Sequence, residues 1–419
     1  MIDKDLKIYD SVCTGCSACT EACAFPDDNG INPIQLIFNE KGLAVPRIDL
    51  DTCTTCMACY KACPTEDKIF NNDVTFESYK EKIGKSYFGY VLDEEHRFEA
   101  ATAGITTEIA SYLLKTNQVD GVVSSYQNNN NEIITEIFKN IDEVKKTRGS
   151  IYRQVSLLNG LAEKIEKGNH KKLLVIGLPC HIAGLKTLHK TNKYLKKNVE
   201  FITIALFCKQ TKTEEFSNFE RTILKAKNNE KIDYRGKGWP GVTRVKGGQN
   251  LPFTNIKIGL SWSTFAFTPE YCFSCSDPLG IEADISVGDA WLPKYTKNDK
   301  IGSSLFIANS KRGQNIIDDM KKKNIIFTEN ETKENIINSQ SEVHIRYKTT
   351  NIKYRSKVFG ELINDSTVSF RYKLLSKMII LNKKLIEFLY LKKVIINTPV
   401  FFIKVYRKIL VLVWKKVWQ

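Results

Sequence analysis

The sequence lacks two kinds of apolar segment. Its first five residues, Met1 to Asp5, contain no apolar core that could serve as a signal peptide. Near the carboxyl terminus the longest uncharged run, 394–403, is ten residues long and contains Pro399. A membrane-spanning helix needs about twenty apolar residues. We therefore expect a cytoplasmic protein whose carboxyl-terminal segment does not cross a bilayer.

Outside that segment the sequence also lacks an excess of basic residues. The formal net charge is +15, but residues 371–419 contribute +11 of it, with ten Lys, two Arg and one acid, Glu387. The other 370 residues carry only +4. Because nucleic-acid-binding domains carry a basic patch on the folded body, this distribution argues against a nucleic-acid partner.

Cysteine, in contrast, is abundant. Twelve cysteines in a chain of 419 residues without an export signal indicate metal ligation, since cytosolic thiols rarely form disulfides. Eight fall in two runs of the form Cys-x2-Cys-x2-Cys-x3-Cys, the spacing of bacterial two-cluster ferredoxins, in which the fourth cysteine of each run ligates the other cluster. We therefore predict two 4Fe-4S clusters, one held by Cys13, Cys16, Cys19 and Cys63 and the other by Cys53, Cys56, Cys59 and Cys23.

A pair of zinc sites is the alternative, since zinc sites also use Cys-x2-Cys. Zinc needs only four ligands, however, and has no use for four cysteines in a compact run that occurs twice. A two-cluster ferredoxin domain is therefore predicted for residues 1–70. A ferredoxin alone would end there, so the long remainder of the chain indicates a further redox module.

Short apolar runs alternate with helical patterns in the body of the chain. Residues 171–176 and 201–207 are predicted to be buried strands, and a helix follows the first, with Ile182, Leu185 and Leu188 on one face. Residues 105–114 and 119–123 predict a helix and the strand after it. Such alternation indicates a mainly parallel, covered sheet, so we predict a mixed α+β or α/β fold.

The four remaining cysteines occupy informative places in that pattern. Cys180 and Cys208 follow the two predicted strands, and ligands gather at the carboxyl ends of strands in open α/β sheets. A lone buried cysteine is usually a small hydrophobic residue, so these two alone would indicate core positions. Cys272 and Cys275 add a Cys-x2-Cys pair, and with it we predict a third four-thiolate cluster.

Three stretches of the body form recognisable motifs. They are 177–185, Gly-Leu-Pro-Cys-His-Ile-Ala-Gly-Leu; 235–241, Arg-Gly-Lys-Gly-Trp-Pro-Gly; and the Cys-x2-Cys at 272–275 together with 283–291, Ala-Asp-Ile-Ser-Val-Gly-Asp-Ala-Trp. These stretches resemble three signatures of the beta subunits of coenzyme F420 (deazaflavin) hydrogenases and dehydrogenases, the first of which reads Gly-Thr-Pro-Cys-Gln-Ile-Ala-Gly-Leu in that family. The resemblance covers roughly residues 1–350.

The resemblance implies an FAD-dependent iron–sulfur oxidoreductase that passes electrons between a hydride carrier and one-electron 4Fe-4S centres. The cluster nearest the flavin would be held by Cys180, Cys208, Cys272 and Cys275. Flavin contacts would come from Thr102, Gly104, Arg235, Gly236, Gly238, Trp239, Gly241 and Asp289. Glycines let backbone approach a flat ring or a pyrophosphate, although a surface turn would use them equally well.

The chain departs from the family pattern beside this predicted pocket. His181 stands in place of Gln, Leu178 in place of Thr, and Lys209-Gln210 follow Cys208 where the family often has His-Gly. These changes leave the predicted cluster and flavin in place, whereas the sequence does not identify the hydride carrier. His181 is a candidate proton relay or substrate contact, although a histidine at the start of a helix is more often a hydrogen-bonded structural residue.

The predicted organisation has four parts. The ferredoxin domain covers 1–70, the two parts of the family domain cover 71–160 and 161–350, and a linker with a basic helical tail covers 351–419. The tail is predicted to form two amphipathic helices, the second with Thr398 as N-cap and Pro399 at its first position. In the first helix lysines share one face and apolar side chains the other, namely Lys373, Lys377 and Lys384 against Leu374, Met378, Leu381, Leu385 and Phe388.

A basic amphipathic tail can lie on an anionic membrane surface, which would place residues 371–419 at the inner face of the membrane. Packing on the body or on another protein of a complex is the alternative.

Three functions compete. The chain would act alone on a soluble hydride carrier or other small redox substrate, or serve as the electron-transfer subunit of a hydrogenase or formate dehydrogenase catalytic subunit. The tail motivates a third function, a redox protein of surface-polysaccharide biosynthesis.

Overall fold

The computed structural model describes residues 2, 5–23, 31–65, 75–350 and 370–418, with backbone alone at 371–372 and 414–418. The predicted linker at 351–369 lies outside the described residues, as do Met1, Asp3 and Lys4 of the amino-terminal segment. The predicted domain boundary at residue 70 also lies outside them.

The amino-terminal region is a small module around one hairpin. Strand β1 (Ile34–Phe38) pairs antiparallel with β2 (Ala44–Ile48). A 3₁₀ helix, Asp10–Val12, precedes the first cysteine run, and two helices of matching length, α1 (Ala18–Ala22) and α2 (Ala58–Ala62), carry the third cysteine of each run. The module thus repeats one loop-and-helix unit on either side of the hairpin.

The body is built on an eight-stranded mixed sheet. Its strands are β3 (Lys85–Val91), β4 (Gly121–Gln127), β5 (Ile133–Phe138), β6 (Lys172–Gly177), β7 (Glu200–Leu206), β11 (Ile285–Asp289), β12 (Ser304–Ala308) and β13 (Ile326–Glu331), while β8 (Ile232–Asp233), β9 (Val242–Val245) and β10 (Leu251–Pro252) form a small separate sheet. The order is β13-β3-β12-β11-β7-β6-β4-β5.

The prediction of a mainly parallel sheet holds only at the centre. Strands β11, β7, β6 and β4 are parallel, whereas β5 on one side and β12, β3 and β13 on the other run antiparallel to their neighbours. Antiparallel strands need only a short turn, and residues 128–132 suffice between β4 and β5. The fold is therefore mixed α/β.

Helices cover both faces of this sheet. The helices of the body are α3 (Phe76–Glu81), α4 (Glu94–Glu99), α5 (Ile105–Lys115), α6 (Ile141–Lys145), α7 (Leu161–Gly168), α8 (Pro179–Thr191), α9 (Lys193–Asn198), α10 (Glu214–Ile223), α11 (Ile256–Thr264), α12 (Tyr271–Ser274), α13 (Pro293–Thr296), α14 (Lys311–Lys322), α15 (Lys333–Ser339) and α16 (Glu342–Thr349). On β6, Leu174 and Ile176 face the core of α5 and α14, and Leu173 and Val175 face the core of α7 and α8. This alternation is the period of a strand buried on both sides.

The tail consists of α17 (Phe370–Leu391), α18 (Val394–Asn397) and α19 (Val400–Trp418). Two helices dominate it, as predicted, but the predicted cap is wrong. The Thr398 hydroxyl donates to the Val394 carbonyl at 2.8 Å, so it serves the preceding turn, and the last helix begins at Val400. Within the described part of the chain, no helix combines the length and the apolar character needed to span a membrane.

The tail helices pack on the body with one apolar stripe, which includes Leu375, Ile379, Ile386 and Tyr390. The other stripe, predicted as the apolar face, is exposed along its length at Leu374, Met378, Leu381, Leu385 and Phe388. The tail therefore has two apolar stripes, one inside and one outside.

Candidate functional site: three sets of four cysteines

The two cysteine loops of the amino-terminal module have the same backbone shape. The residue before each short helix is left-handed, Ser17 at φ +72° and Met57 at φ +63°. Gly15 and Thr55, each two residues earlier, also have positive φ. Such turns direct successive backbone N–H groups to one side, which suits an anionic group inside the loop.

The first set comprises the cysteines predicted for one cluster. Cys13, Cys16, Cys19 and Cys63 line a common cavity of about 340 Å³, measured to its open mouth, together with Leu36 and Pro46 of the hairpin. Burial raises the pKa of the Cys16 thiol, the charges of Cys63 and Cys13 add to the increase, and together they bring it to about 12. The thiols therefore need a bound cation to stay ionised, which iron would supply.

The second set lines a matching cavity of about 340 Å³ on the other side of the module. Its cysteines are Cys23, Cys53, Cys56 and Cys59. Burial raises the pKa of Cys59 to about 11, with the charges of Cys53, Cys23 and Cys56 adding to it. The fourth cysteine of each run thus lies with the other run, in the exchange that the spacing predicted. Across the described residues no three His, Cys, Asp or Glu side chains converge as ligands of a single metal ion.

The third set is assembled from separate parts of the body. Cys180 lies in the first turn of α8 after β6, Cys208 follows β7, Cys272 is in α12 and Cys275 ends that helix. Burial raises the pKa of Cys180 well above its usual range, and four thiolates near enough to act on it raise it further, those of Cys208, Cys275, Cys16 and Cys272. The structure therefore brings the four predicted residues together.

The presence of Cys16 among those neighbours connects the third set to the first. Helices α1 and α2 pack on α8, and a Cβ at Gly184 would lie only 2.9 Å from the Cys16 sulfur. The module is held there by specific contacts: the Glu21 carboxylate accepts from the N–H groups of Gly160 and Ala162 at 2.7 and 2.8 Å, and the Thr187 hydroxyl donates to the Ala62 carbonyl at 2.7 Å.

Polar groups around the third set are arranged to meet negative charge. The Thr211 N–H donates to the Cys272 sulfur at 3.3 Å. The buried Lys348 ammonium donates to the Cys272 carbonyl at 2.9 Å, and Lys209 directly follows Cys208. Hydrogen bonds and cations stabilise thiolates, so this donor set fits an anionic cluster. Sequence reasoning missed Lys348 because no motif links it to Cys272, which lies 76 residues away in the chain.

Three predicted flavin contacts form one hydrogen-bonded group. Arg235 makes a double ion pair with Asp289, with both N–O distances 2.8 Å, and the Trp239 indole N–H donates to the same carboxylate at 2.8 Å. The guanidinium lies over the rings of Phe253 and Trp291, 4.7 and 5.6 Å from their centroids. Asp289 ends β11, which pairs in parallel with β7, so the Arg235 group lies at the same edge of the sheet as Cys208 of the third set.

The predicted glycines shape the loop that carries this group. Gly236, Gly238 and Gly241 have φ of +118°, +86° and +95°. Added Cβ atoms would meet protein backbone within 3.1 Å at all three positions. The chain's own packing therefore accounts for these glycines, which favours the turn interpretation, and they give no separate evidence for a flavin.

The chain contacts that loop just before Thr102 and Gly104, since the Glu99 carbonyl would lie 3.1 Å from a Cβ at Gly236. The Thr102 hydroxyl is 3.0 Å from that of Ser304, and Gly104 precedes α5 in a left-handed conformation. Beside Gly104 the buried His96 bridges Glu108 at 2.8 Å and Thr107 at 2.7 Å, a chain of hydrogen bonds that the sequence pattern did not reveal.

His181 is buried and bonded to backbone. Its Nδ1 accepts from the Leu178 N–H at 3.1 Å at the start of α8. Burial lowers the pKa of His181 to about 4, a hydrogen bond to Val155 opposing the change. These contacts fit the structural role, and proton transfer by His181 stays a prediction.

Comparison with protein families identifies three regions. The family of coenzyme F420 hydrogenase/dehydrogenase beta subunits is represented by two models, of which the amino-terminal one matches residues 86–162 and the carboxyl-terminal one matches 170–334, a range that contains the third set. A 4Fe-4S dicluster domain matches 12–66 and contains all eight cysteines of the module. The module is therefore an iron–sulfur domain, and the zinc alternative is not supported.

Two curated proteins are similar in sequence. A coenzyme F420-dependent sulfite reductase of Methanocaldococcus jannaschii is 25% identical over 329 residues, 74% of this chain and 46% of that protein. The second is a subunit, designated F, of the F(420)H(2) dehydrogenase of Methanosarcina mazei, 24% identical over 215 residues, 48% of this chain and 57% of that protein. The chain thus matches about half the length of each.

Among solved structures, a chain of the F420-reducing [NiFe] hydrogenase complex from Methanosarcina barkeri is similar, with 18% identity and a TM-score of 0.48. The match covers 65% of this chain and 98% of that one.

Proposed function

Because the chain belongs to the family of coenzyme F420 hydrogenase/dehydrogenase beta subunits and carries a two-cluster 4Fe-4S domain, we propose that it is an oxidoreductase that exchanges electrons between a hydride-carrying small molecule and three 4Fe-4S centres. Its role in redox chemistry and electron transfer follows from the family. The third cluster, the FAD and the hydride carrier are the proposed part.

The observation that carries this proposal is the continuity of the three cysteine sets. The first and second sets share one small module, and Cys16 of the first set packs against Gly184 of α8, one helical turn after Cys180 of the third. Electron transfer needs its centres close together and held rigidly. Glu21 and Thr187 fix the module against α7 and α8 through backbone groups, so the relative placement of the sets is set by the fold.

FAD would supply the exchange between a two-electron hydride and single electrons. The residues that would lie nearest to it are those of the Arg235 group, since Asp289 acts on Lys209 beside the third set. Arg235 and Trp239 hold Asp289 in one orientation and so fix the loop 235–241 against β11. This support comes from family membership and position.

Reduction by candidate hydride donors tests the proposal. Reduced deazaflavin coenzyme and reduced nicotinamide coenzymes are added separately to anaerobic protein, and the visible absorbance of the clusters is followed. Bleaching by one of them within seconds is expected, with dithionite as the control that reduces the clusters chemically. Bleaching by dithionite alone would contradict the proposal and favour an electron-transfer subunit, whose catalytic partner supplies the electrons.

That role within a larger complex is the second candidate, since one curated relative is named as a subunit of a dehydrogenase. Affinity purification from native cells separates the two candidates. A stoichiometric hydrogenase or dehydrogenase catalytic subunit in the purified material supports the role in a complex, and a single polypeptide that reacts with a hydride donor supports the enzyme.

For the tail we propose an anionic membrane surface as partner. Of the 22 large apolar side chains that are exposed in the described residues, 15 lie between Phe370 and Leu412. A patch of this kind marks an interaction surface. The surrounding charge is basic, and the one acid, Glu387, is turned inward, where it pairs with Lys383 at 2.7 Å and accepts from the Phe267 N–H. An anionic bilayer satisfies both the apolar stripe and the lysines. This surface is also what motivates a role in polysaccharide biosynthesis.

Vesicle co-sedimentation tests the membrane proposal. Lys373→Gln, Lys377→Gln and Lys384→Gln combined should weaken binding to phosphatidylserine vesicles about hundredfold, at ~1 kcal/mol per charge. Lys311→Gln, Lys321→Gln and Lys322→Gln on α14 give the same charge change away from the tail and should leave binding unchanged. Equal losses in both triple variants, or no binding by the unmodified protein, would overturn it.

A further inference from the structure

Two lysines lie beside the third cysteine set. Lys348, in α16, is 3% exposed, and its ammonium donates to the Cys272 carbonyl at 2.9 Å. Lys209 is half-buried and follows Cys208 directly at the carboxyl end of β7. Two positive charges are therefore placed next to four thiols inside the body.

The two lysines also act on one buried histidine. Burial lowers the pKa of His344 to about 3, with the charges of Lys209 and Lys348 contributing to the decrease. His344 and Lys348 are one turn apart in α16, and this helix brings the Lys348 ammonium to the Cys272 carbonyl.

The first cysteine set has a different electrostatic surrounding. Its neighbouring cation, Arg47, acts on Cys13 but is held by Asp10 in a double hydrogen bond of 2.9 Å per contact. That pair is also partly exposed to solvent, which screens it. Lys348 is buried, and a charge in a low-dielectric interior acts much more strongly than one at the surface.

We propose that Lys348 and Lys209 raise the reduction potential of the third cluster, so that electrons collect there, next to the Arg235 group. Reduction adds one negative charge to a centre that already carries four thiolates, and nearby cations stabilise the reduced form more than the oxidised one. In this step one electron would pass from a cluster of the module to the third cluster, so that the module is oxidised as the third cluster is reduced, and no bond of the protein is made or broken. Both lysines would act on the cluster through their positive charge alone. The inference rests on the third cluster of the proposed function.

Redox titration followed by electron paramagnetic resonance tests this. Lys348→Met and, separately, Lys209→Met in the full chain should each shift the reduction equilibrium of the third cluster about tenfold towards the oxidised form, which is about 59 mV for one electron. Lys348→Arg keeps the charge and should restore the potential. Lys322→Met on the surface of α14 is the matched control and should change nothing. If Lys348→Met fails to fold, Lys209→Met still tests the charge effect, because Lys209 lies in a loop directly after the predicted ligand Cys208.

Iron content separates this inference from the proposed function. About twelve iron atoms per chain with an unchanged potential in both Met variants would overturn the charge effect and leave the third cluster standing. About eight iron atoms in the unmodified protein would overturn both.

Discussion

The module and the body bring sets of four cysteines together in opposite ways. In the module, three of every four cysteines come from one short run, and the loop closes by left-handed turns at Ser17 and Met57. In the body, Cys180 and Cys208 stand at the carboxyl ends of neighbouring parallel strands and α12 adds the other two. Local geometry builds the first kind of site, and the whole sheet must fold to build the second.

This difference has an electrostatic consequence. Loop sites present backbone N–H groups to their thiols, and in the second set Cys56 is exposed to solvent. A site assembled from strand ends can recruit charged side chains from distant helices, as α16 brings Lys348 to Cys272. The loops of the module therefore depend on local backbone geometry, whereas charged side chains of the body can alter the electrostatic surroundings of the proposed third cluster.

The largest expected effect separates the two kinds of site directly. Cys272→Ser with Cys275→Ser should remove about four of twelve iron atoms and leave the resonance signals of the module intact, since the loops fold locally. Cys53→Ser with Cys56→Ser is the matched variant and should remove the second cluster while the third persists. Iron analysis and paramagnetic resonance of both variants measure this. Loss of all clusters in the first variant would show that the sites do not form independently.

A smaller effect is expected where module and body meet. Gly184→Ala should destabilise the cluster-loaded protein by about 1–3 kcal/mol, because its Cβ would lie 2.9 Å from the Cys16 sulfur, which iron holds in place. Gly259→Ala is the matched helical control, since its Cβ would meet only the end of the Arg407 side chain, at 3.3 Å. That control should gain up to about 1 kcal/mol from helix propensity. Denaturant unfolding measures both, and equal behaviour would contradict close contact between α8 and the first set.

The smallest effect concerns pH at the same interface. Burial raises the pKa of Glu21, against the hydrogen bonds from Ala162 and Gly160 that lower it. A carboxyl whose folded pKa lies above its unfolded value binds more protons when folded, so its contribution to stability is full below pH 4.5 and falls as the pH rises through the folded pKa. Glu21→Gln should remove this slope.

Unfolding midpoints in urea at several pH values from about 4.5 upward measure the Glu21 effect. Glu163→Gln on α7 is the control, because Lys167 holds the pKa of the exposed Glu163 below its usual range, so its contribution changes only below pH 4.5 and the variant should leave the slope above pH 4.5 unchanged. An unaltered slope in Glu21→Gln would contradict a buried carboxylate at the docking contact.

The comparison also explains what could be predicted from the sequence. Spacing within a run is a local property, so the exchange of Cys23 and Cys63 between runs could be predicted and is what the structure shows. Because Cys180 and Cys208 each follow a strand, the sequence also predicted that they lie at the same edge of the sheet, and β6 and β7 are parallel neighbours. The glycines of 236–241 could not be assigned, because positive φ serves a turn and a ligand alike.

The tail shows a second kind of limit. Helical periodicity indicated the stripe of Leu374 and Met378, yet the tail packs on the body through Ile386 and Tyr390. A helix with two apolar stripes offers two solutions, and only the shape of the surface beneath it selects one. The contact of Lys348 with Cys272 was equally invisible, because it depends on where α16 lies.

The central claim is that the third cysteine set binds a 4Fe-4S cluster beside a flavin. The most direct test is the iron, acid-labile sulfide and flavin content of anaerobically purified protein, read with its visible spectrum. We predict about twelve iron atoms, as many sulfides and one FAD per chain. About eight iron atoms and no flavin would contradict the account and leave an electron carrier with two clusters.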